Sequence, residues 1–289
     1  MRNIKTYTDF IFEYYNPNFD TRSTPIEVNE SNTILDIIKN NAPWYLENIK
    51  DITPIYRGVK RDNEQVAMTI EPALYTRHAR NTENYYMSII DESEYWKDYP
   101  KRSKSIICSL SKSKASRYGK VYRVIPLIEN SRLAICPWDD VYYSFPVLFK
   151  NIEDITGIGI RTVALFNDWL AFGFGIEEDV TDSKIIANRV NSVIKDMMFM
   201  AANPDKYYKD YFNTEVQVLS EKILKGELQY TNFYSQLEEW MQPDSNGYKI
   251  INYNRDSTQL GKLNEVYTDA NCLLVLEDEL QLELSKQKV

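Results

Sequence analysis

An arginine, two serines and a glutamate, each beside a short apolar run, are the residues of this chain best suited to act together. Arg57 precedes Gly58 at the close of DITPIYRGV, Ser109 and Ser111 flank Leu110 at the close of SKSIICSLS, and Glu265 stands within LNEVYTD. An arginine forks onto phosphate or ribose oxygens. A serine hydroxyl donates and accepts, so it orients a neighbouring arginine or carboxylate. A glutamate holds a ribose hydroxyl and stabilises an oxocarbenium-like transition state, as carboxylates do in glycoside chemistry. Together the set suits one dinucleotide. Taken singly, each residue also has a plain structural reading: Arg57 in a surface ion pair, the serines as turn or N-cap residues before KSKASRY, and Glu265 as a solvent-facing strand residue.

Strands must carry these residues to one place. Runs rich in β-branched and aromatic residues predict strands at DITPIYRGV, SKSIICSLS, GKVYRVIPLI, SRLAICPW, GYKIINY, LNEVYTD and NCLLVLED. KSKASRY reads as a helical turn or two, ended by Gly119. In SNTILDIIKNNAPWYLENI a helix is capped by Ser31 or Asn32 and broken near Pro43. Residues 60–104 are polar and mixed, with one helix around ENYYMSII. Apolar residues then recur at helical spacing from Ile185 to Met198, after a cap at Asp182 or Ser183. TEVQVLSEKILK gives a further helix that stops at Gly226, and another carries Phe233, Leu237, Trp240 and Met241. The predicted organisation is a helical region over 1–50, the first part of a core over 51–144, a helical insertion over 145–245, the last core strands over 246–280 and a frayed tail over 281–289. Residues on both sides of the insertion then share one site.

The order Arg57-Gly58, Ser109-Leu110-Ser111, Glu265 resembles the Arg-Ser-Glu class of ADP-ribosyltransferases, related to bacterial toxins and to modifying enzymes of large bacteriophages. The resemblance covers roughly residues 50–140 and 248–277. It implies an α+β fold, a split two-sheet core around an NAD cleft with N-terminal helices and a large helical insertion, and transfer of ADP-ribose from NAD to a macromolecule without a metal. Arg57 and Gly58 would hold the NAD, Ser109 would support Arg57 and Glu265 with Ser111 nearby, and Glu265 would fix the ribose 2′-hydroxyl. Tyr142, Tyr143 and Phe145 lie near where the family places an aromatic over nicotinamide, although core packing explains them equally. Two departures stand out. Leu110 occupies a position where threonine is usual. Leu263 stands two residues before Glu265, where arginine-modifying members carry Gln or Glu, so arginine is disfavoured as the acceptor. The turn YNRDSTQLGK would face the target, through Arg255, Asp256 and Gln259 together with Leu263. The alternatives are NAD hydrolysis, with water as acceptor, and a non-catalytic binding or inhibitor protein on a degenerate transferase fold.

Composition narrows the remaining classes. The net charge of −8 and sequence pI near 5.0 argue against a surface that grips nucleic acid throughout. Eight Lys and Arg nevertheless crowd between Lys101 and Arg123; most read as a solvated face, and some would offset a ligand's pyrophosphate or steer an acidic target. The acidic pair Asp139-Asp140 reads as surface charge. Cys108, Cys136 and Cys272 lack metal or redox spacing and read as buried thiols of a reducing compartment, the cytoplasm. The single histidine, His78, leaves little room for imidazole catalysis. No apolar stretch suits a signal peptide or a membrane span. ITGIGIRTVALFNDWL looks like half of a phosphate-gripping helix-hairpin-helix, but a tight glycine turn between packed helices explains it without a ligand.

Overall fold

The computed structural model describes residues 23–60, 65–76, 84–141, 143–156, 182–202, 221, 225–227, 233–261 and 264–287. His78, Tyr142, Leu263, most of the glycine-containing segment from Ile155 and nearly all of TEVQVLSEKILK lie outside them. The chain divides into two compact units. The first joins Met1–Asn81, Asp98–Ser144 and Tyr248–Val289; the second joins Thr82–Lys97 and Phe145–Gly247. The second unit thus takes in a segment before the expected insertion, because Tyr86 and Trp96 pack edge-to-face on Phe145 with centroids 5.5 and 6.1 Å away. Its described helices include Asn84–Glu92, Pro146–Thr156, Ser183–Ala202 and Phe233–Trp240. Asp182 caps the third of these, its carboxylate accepting from the Lys184 and Ile185 amides.

In the first unit the described strands are β1 (Ser23–Ile26), β2 (Ile55–Val59), β3 (Ala67–Ile70), β4 (Ile106–Ser109), β5 (Lys120–Pro126), β6 (Arg132–Ile135), β7 (Lys249–Asn252), β8 (Glu265–Thr268) and β9 (Cys272–Leu276). They form one antiparallel nine-stranded sheet, not the two sheets expected, in the order β1-β3-β9-β5-β2-β4-β8-β6-β7, because the pair Tyr56–Ser109 joins β2 to β4. The fold is therefore mixed α+β. β1 and β3 fall in stretches expected to be helical or irregular. Each is only four residues long, STPI and AMTI, and their place comes from pairing with each other and with β9 rather than from local preference.

The core gathers Ile34, Ile37 and Ile38 from the helix Ile34–Asn41, Ile55 and Val59 from β2, Tyr122 and Val124 from β5, and Leu273, Leu274 and Val275 from β9. Each such side chain contributes roughly 1.5–3 kcal/mol by leaving water. Thr33, not Ser31 or Asn32, caps the helix Ile34–Asn41, in a capping box with Asp36. Glu283 adds a second anion there, accepting from the Ile34 and Leu35 amides at 3.1 Å each. The carboxylate comes from the helix Glu277–Lys286, which occupies most of the stretch expected to fray. Leu280, fully buried, explains why this otherwise polar segment packs.

Candidate functional site

The connection between β2 and β4 is a single residue pair, Tyr56 opposite Ser109. By contrast, β2 pairs with β5 over five residues and β4 with β8 over four. The sheet therefore opens beside Ser109, and Arg57 Nη1 spans the gap to the Ile107 carbonyl at 2.9 Å. A continuous row crosses five strands at this level: Val275, Arg123, Tyr56, Ser109 and Glu265. Ser109 and Glu265, far apart in sequence, are thereby direct cross-strand neighbours.

A cavity of about 190 Å³ lies at the opening, lined by Arg57, Gly58, Ser109, Tyr143 and Glu265, with Lys114, Arg117, Tyr118, Asp139 and Asp140 also on its walls. Gly58 is required where the turn Lys112–Tyr118 crosses β2, since a Cβ there would meet the Ala115 carbonyl oxygen at 1.9 Å. Ser109 Oγ accepts from the Ser111 amide at 3.1 Å, and Ser111 Oγ caps the following turn by accepting from the Lys114 amide. The serine hydroxyls thus shape the strand end; neither reaches Arg57 or Glu265.

Glu265 is held from several sides. Its amide donates to the Trp138 carbonyl at 3.1 Å, and its carbonyl accepts from the Cys136 amide at 2.9 Å. Three residues therefore oppose one, and Pro137, which has no amide proton, sits at the apex of that bend. Asn264 Nδ2 fastens the bend, donating to the Cys136 and Pro137 carbonyls at 2.6 and 3.1 Å. Trp138, on the same bend, is 57% exposed. The Glu265 carboxylate accepts from Arg102 Nη1 at 2.7 Å, on Oε1, and the Cys136 thiol lies 3.6 Å from the same oxygen. Burial alone would weaken the Arg102 proton, but the Glu265 charge and hydrogen bond outweigh it and raise its pKa. Burial pushes the Cys136 thiol well above its ordinary value, and the Glu265 charge adds to this.

Members of the cation cluster have different surroundings. Arg102 and Arg123 are buried rather than solvated, paired with Glu265 and Glu277. Lys112 and Lys114 pair with Asp278 and Asp139. Arg117 and Lys114 face the cavity, and so do Asp139 and Asp140, which are wall residues and not simply surface charge. Phe145 does not line the cavity; it belongs to the second unit, packed on Tyr86 and Trp96. YNRDSTQLGK is not a free turn: Tyr253–Asp256 is helical, Ser257–Gln259 continues as a 3-10 turn, and Tyr253 is buried with its hydroxyl on the Thr53 carbonyl. Arg255 is exposed and is not among the described cavity residues, and the Gln259 side chain lies outside the described residues. All three cysteines are buried free thiols.

Arg102, Asn264 and Trp138 have no motif to betray them. Arg102 in KRSK looks like any solvated cation, and the one available hint is its position just before the strand that ends at Ser109.

No protein-family model matches the chain, and no curated protein or solved structure is detectably similar to it. Among the described residues no helix is long and apolar enough to cross a membrane, and no group of three His, Cys, Asp or Glu is placed to hold a metal.

Proposed function

We propose that the cavity binds the nicotinamide-ribose end of NAD and that the protein is an ADP-ribosyltransferase. The observation that carries this reading is that Arg57, Ser109 and Glu265, from three strands adjacent in the sheet, line one cavity where the sheet opens. The adenylate end would lie toward Arg117 and Lys114 on the walls. The Arg57 guanidinium would fork onto pyrophosphate or ribose oxygens. Glu265 Oε2, which takes part in no hydrogen bond among the described residues, would accept from the ribose 2′-hydroxyl. Its charge then stabilises the cation that develops as the ribose–nicotinamide bond lengthens. Nicotinamide leaves with the bonding pair, which neutralises its ring. A nucleophile on a macromolecule bonds to the ribose carbon and gives up its proton. With Leu263 two residues before Glu265, arginine is disfavoured as the acceptor. Tyr143 offers the ring an aromatic wall, as do Tyr56 and Tyr118.

A second reading has its own support. Arg57, Ser109 and Glu265 each already hold a partner within the protein: the Ile107 carbonyl, the Ser111 amide and Arg102. That arrangement favours a binding or inhibitor protein on a transferase-like scaffold. Incubation with adenylate-labelled NAD in bacterial lysate separates the two readings, using wild type and Glu265→Gln, with protease and nuclease digestion before separation. A transferase labels macromolecules with wild type and loses about 10²–10³-fold with the variant. Nicotinamide release without label means hydrolysis. Neither label nor nicotinamide leaves the non-catalytic reading.

A further inference from the structure

Among the described residues there are two buried Arg–Glu pairs, and they are built differently. Arg123 meets Glu277 fork to fork, Nε to Oε2 at 2.9 Å and Nη2 to Oε1 at 2.8 Å, and its third nitrogen donates to Tyr45. Every donor group and both carboxylate oxygens are in use, as expected of a pair whose task is to hold a fold together.

Arg102 is buried as deeply, 4% exposed, yet it meets Glu265 through one nitrogen and one oxygen. Its Nε has no hydrogen-bond partner, a cost that a purely structural pair would avoid. Its guanidinium lies over the Tyr267 ring, 5.2 Å from the centroid. Tyr267 is two residues beyond Glu265 on β8, so both side chains share a face and Arg102 lies across them. The Cys136 thiol approaches the same carboxylate oxygen as Arg102. One side of the carboxylate is thus gripped twice, while the other takes part in no hydrogen bond among the described residues.

We propose that Arg102 is the positioning residue of this site: anchored on Tyr267, it fixes the Glu265 carboxylate by Oε1 and leaves Oε2 to meet the ligand. This rests on the reading of the cavity as an NAD site. Arg102 touches no substrate; it acts through Glu265.

The experiment is nicotinamide release by wild type, Arg102→Gln, Glu265→Asp and the double variant, with rates normalised to the folded fraction. Arg102→Gln lowers kcat about 10- to 100-fold, the range for a catalytic group displaced by about an ångström, and leaves the KM for NAD nearly unchanged. In the Glu265→Asp background, where the shortened carboxylate has already withdrawn from Arg102, the same change adds little. Unaltered kcat in folded Arg102→Gln, or losses that multiply in the double variant, overturns the assignment. Should Arg102→Gln fail to fold, Arg102→Lys serves, since its point charge cannot reproduce the planar donor stacked on Tyr267. A lowered kcat at constant KM supports the assignment, and an unchanged kcat refutes it. If wild type releases no nicotinamide at all, the NAD reading itself falls and this assignment with it; an active wild type with fully active Arg102 variants removes this assignment alone.

Discussion

Replacing Glu277 by glutamine should unfold much of the first unit's margin of stability. The Arg123 and Glu277 side chains are 6% and 4% exposed, the Arg123 guanidinium lies over the Tyr56 ring, and Tyr45 Oη accepts its third nitrogen at 2.8 Å. Glu277→Gln leaves that guanidinium charged and away from water with no counter-charge, at a cost of about 3–5 kcal/mol. Against a total stability of about 5–15 kcal/mol, this is a large fraction. Arg123→Met with Glu277→Leu removes both charges, and its cost should fall below that of either single change, because no orphaned ion remains. Two compact units make a bulk probe ambiguous, so unfolding in urea is best followed by hydrogen exchange at β5 and β9. At a slope of about 2–3 kcal/mol per molar, the glutamine variant loses about 1–2 M in its midpoint. A single-variant cost under about 1 kcal/mol, or a double variant that equals the sum of the singles, refutes the reasoning.

Gly58→Ala should destabilise by about 1–3 kcal/mol, because its Cβ would press on the Ala115 carbonyl oxygen and on Tyr118; an unchanged urea midpoint contradicts the close packing described. Burial, reinforced by Glu265 and opposed by Arg57, pushes the Cys108 thiol up to about 12, whereas an unfolded thiol titrates near its ordinary 9.0. Stability contributed by this thiol is full below pH 9.0 and is lost as pH rises toward about 12, at about 1.4 kcal/mol per pH unit. Cys108→Ala should flatten the fall of stability above pH 9.0, and an identical slope in both proteins counts against the buried thiol. Thr33→Ala removes one half of a capping box and should cost about 1 kcal/mol in the unfolding midpoint; no loss means that Glu283 alone satisfies that helix end.

The strands that flank the candidate site were legible in the sequence because they are largely buried apolar runs bounded by polar turns, as in SIICS and CLLVL. β1 and β3 were not, since four-residue segments carry no period of their own and depend on partners distant in sequence. Arg57, Ser109, Tyr143 and Glu265 do meet at one cavity, whereas Phe145 belongs to the other unit's aromatic packing. The grip on Glu265 was hidden for a different reason. A buried cation in KRSK differs from a solvated one only in its long-range partner, and the bend at Pro137 exists because β6 and β8 come together. The tail looked frayed because its pattern is mostly polar, but Glu283, with Glu277 earlier in the same helix, docks it.

Where NAD binds is the measurement closest to the central claim. Amide hydrogen exchange should be recorded with and without an NAD analogue whose ribose–nicotinamide link is carbon–carbon, on wild type and Arg57→Ala. The account predicts slowed exchange at Tyr56–Gly58, Ile107–Ser111 and Asn264–Val266 in wild type, weakened by the substitution. Protection confined to other segments, or none at saturating analogue, would contradict it.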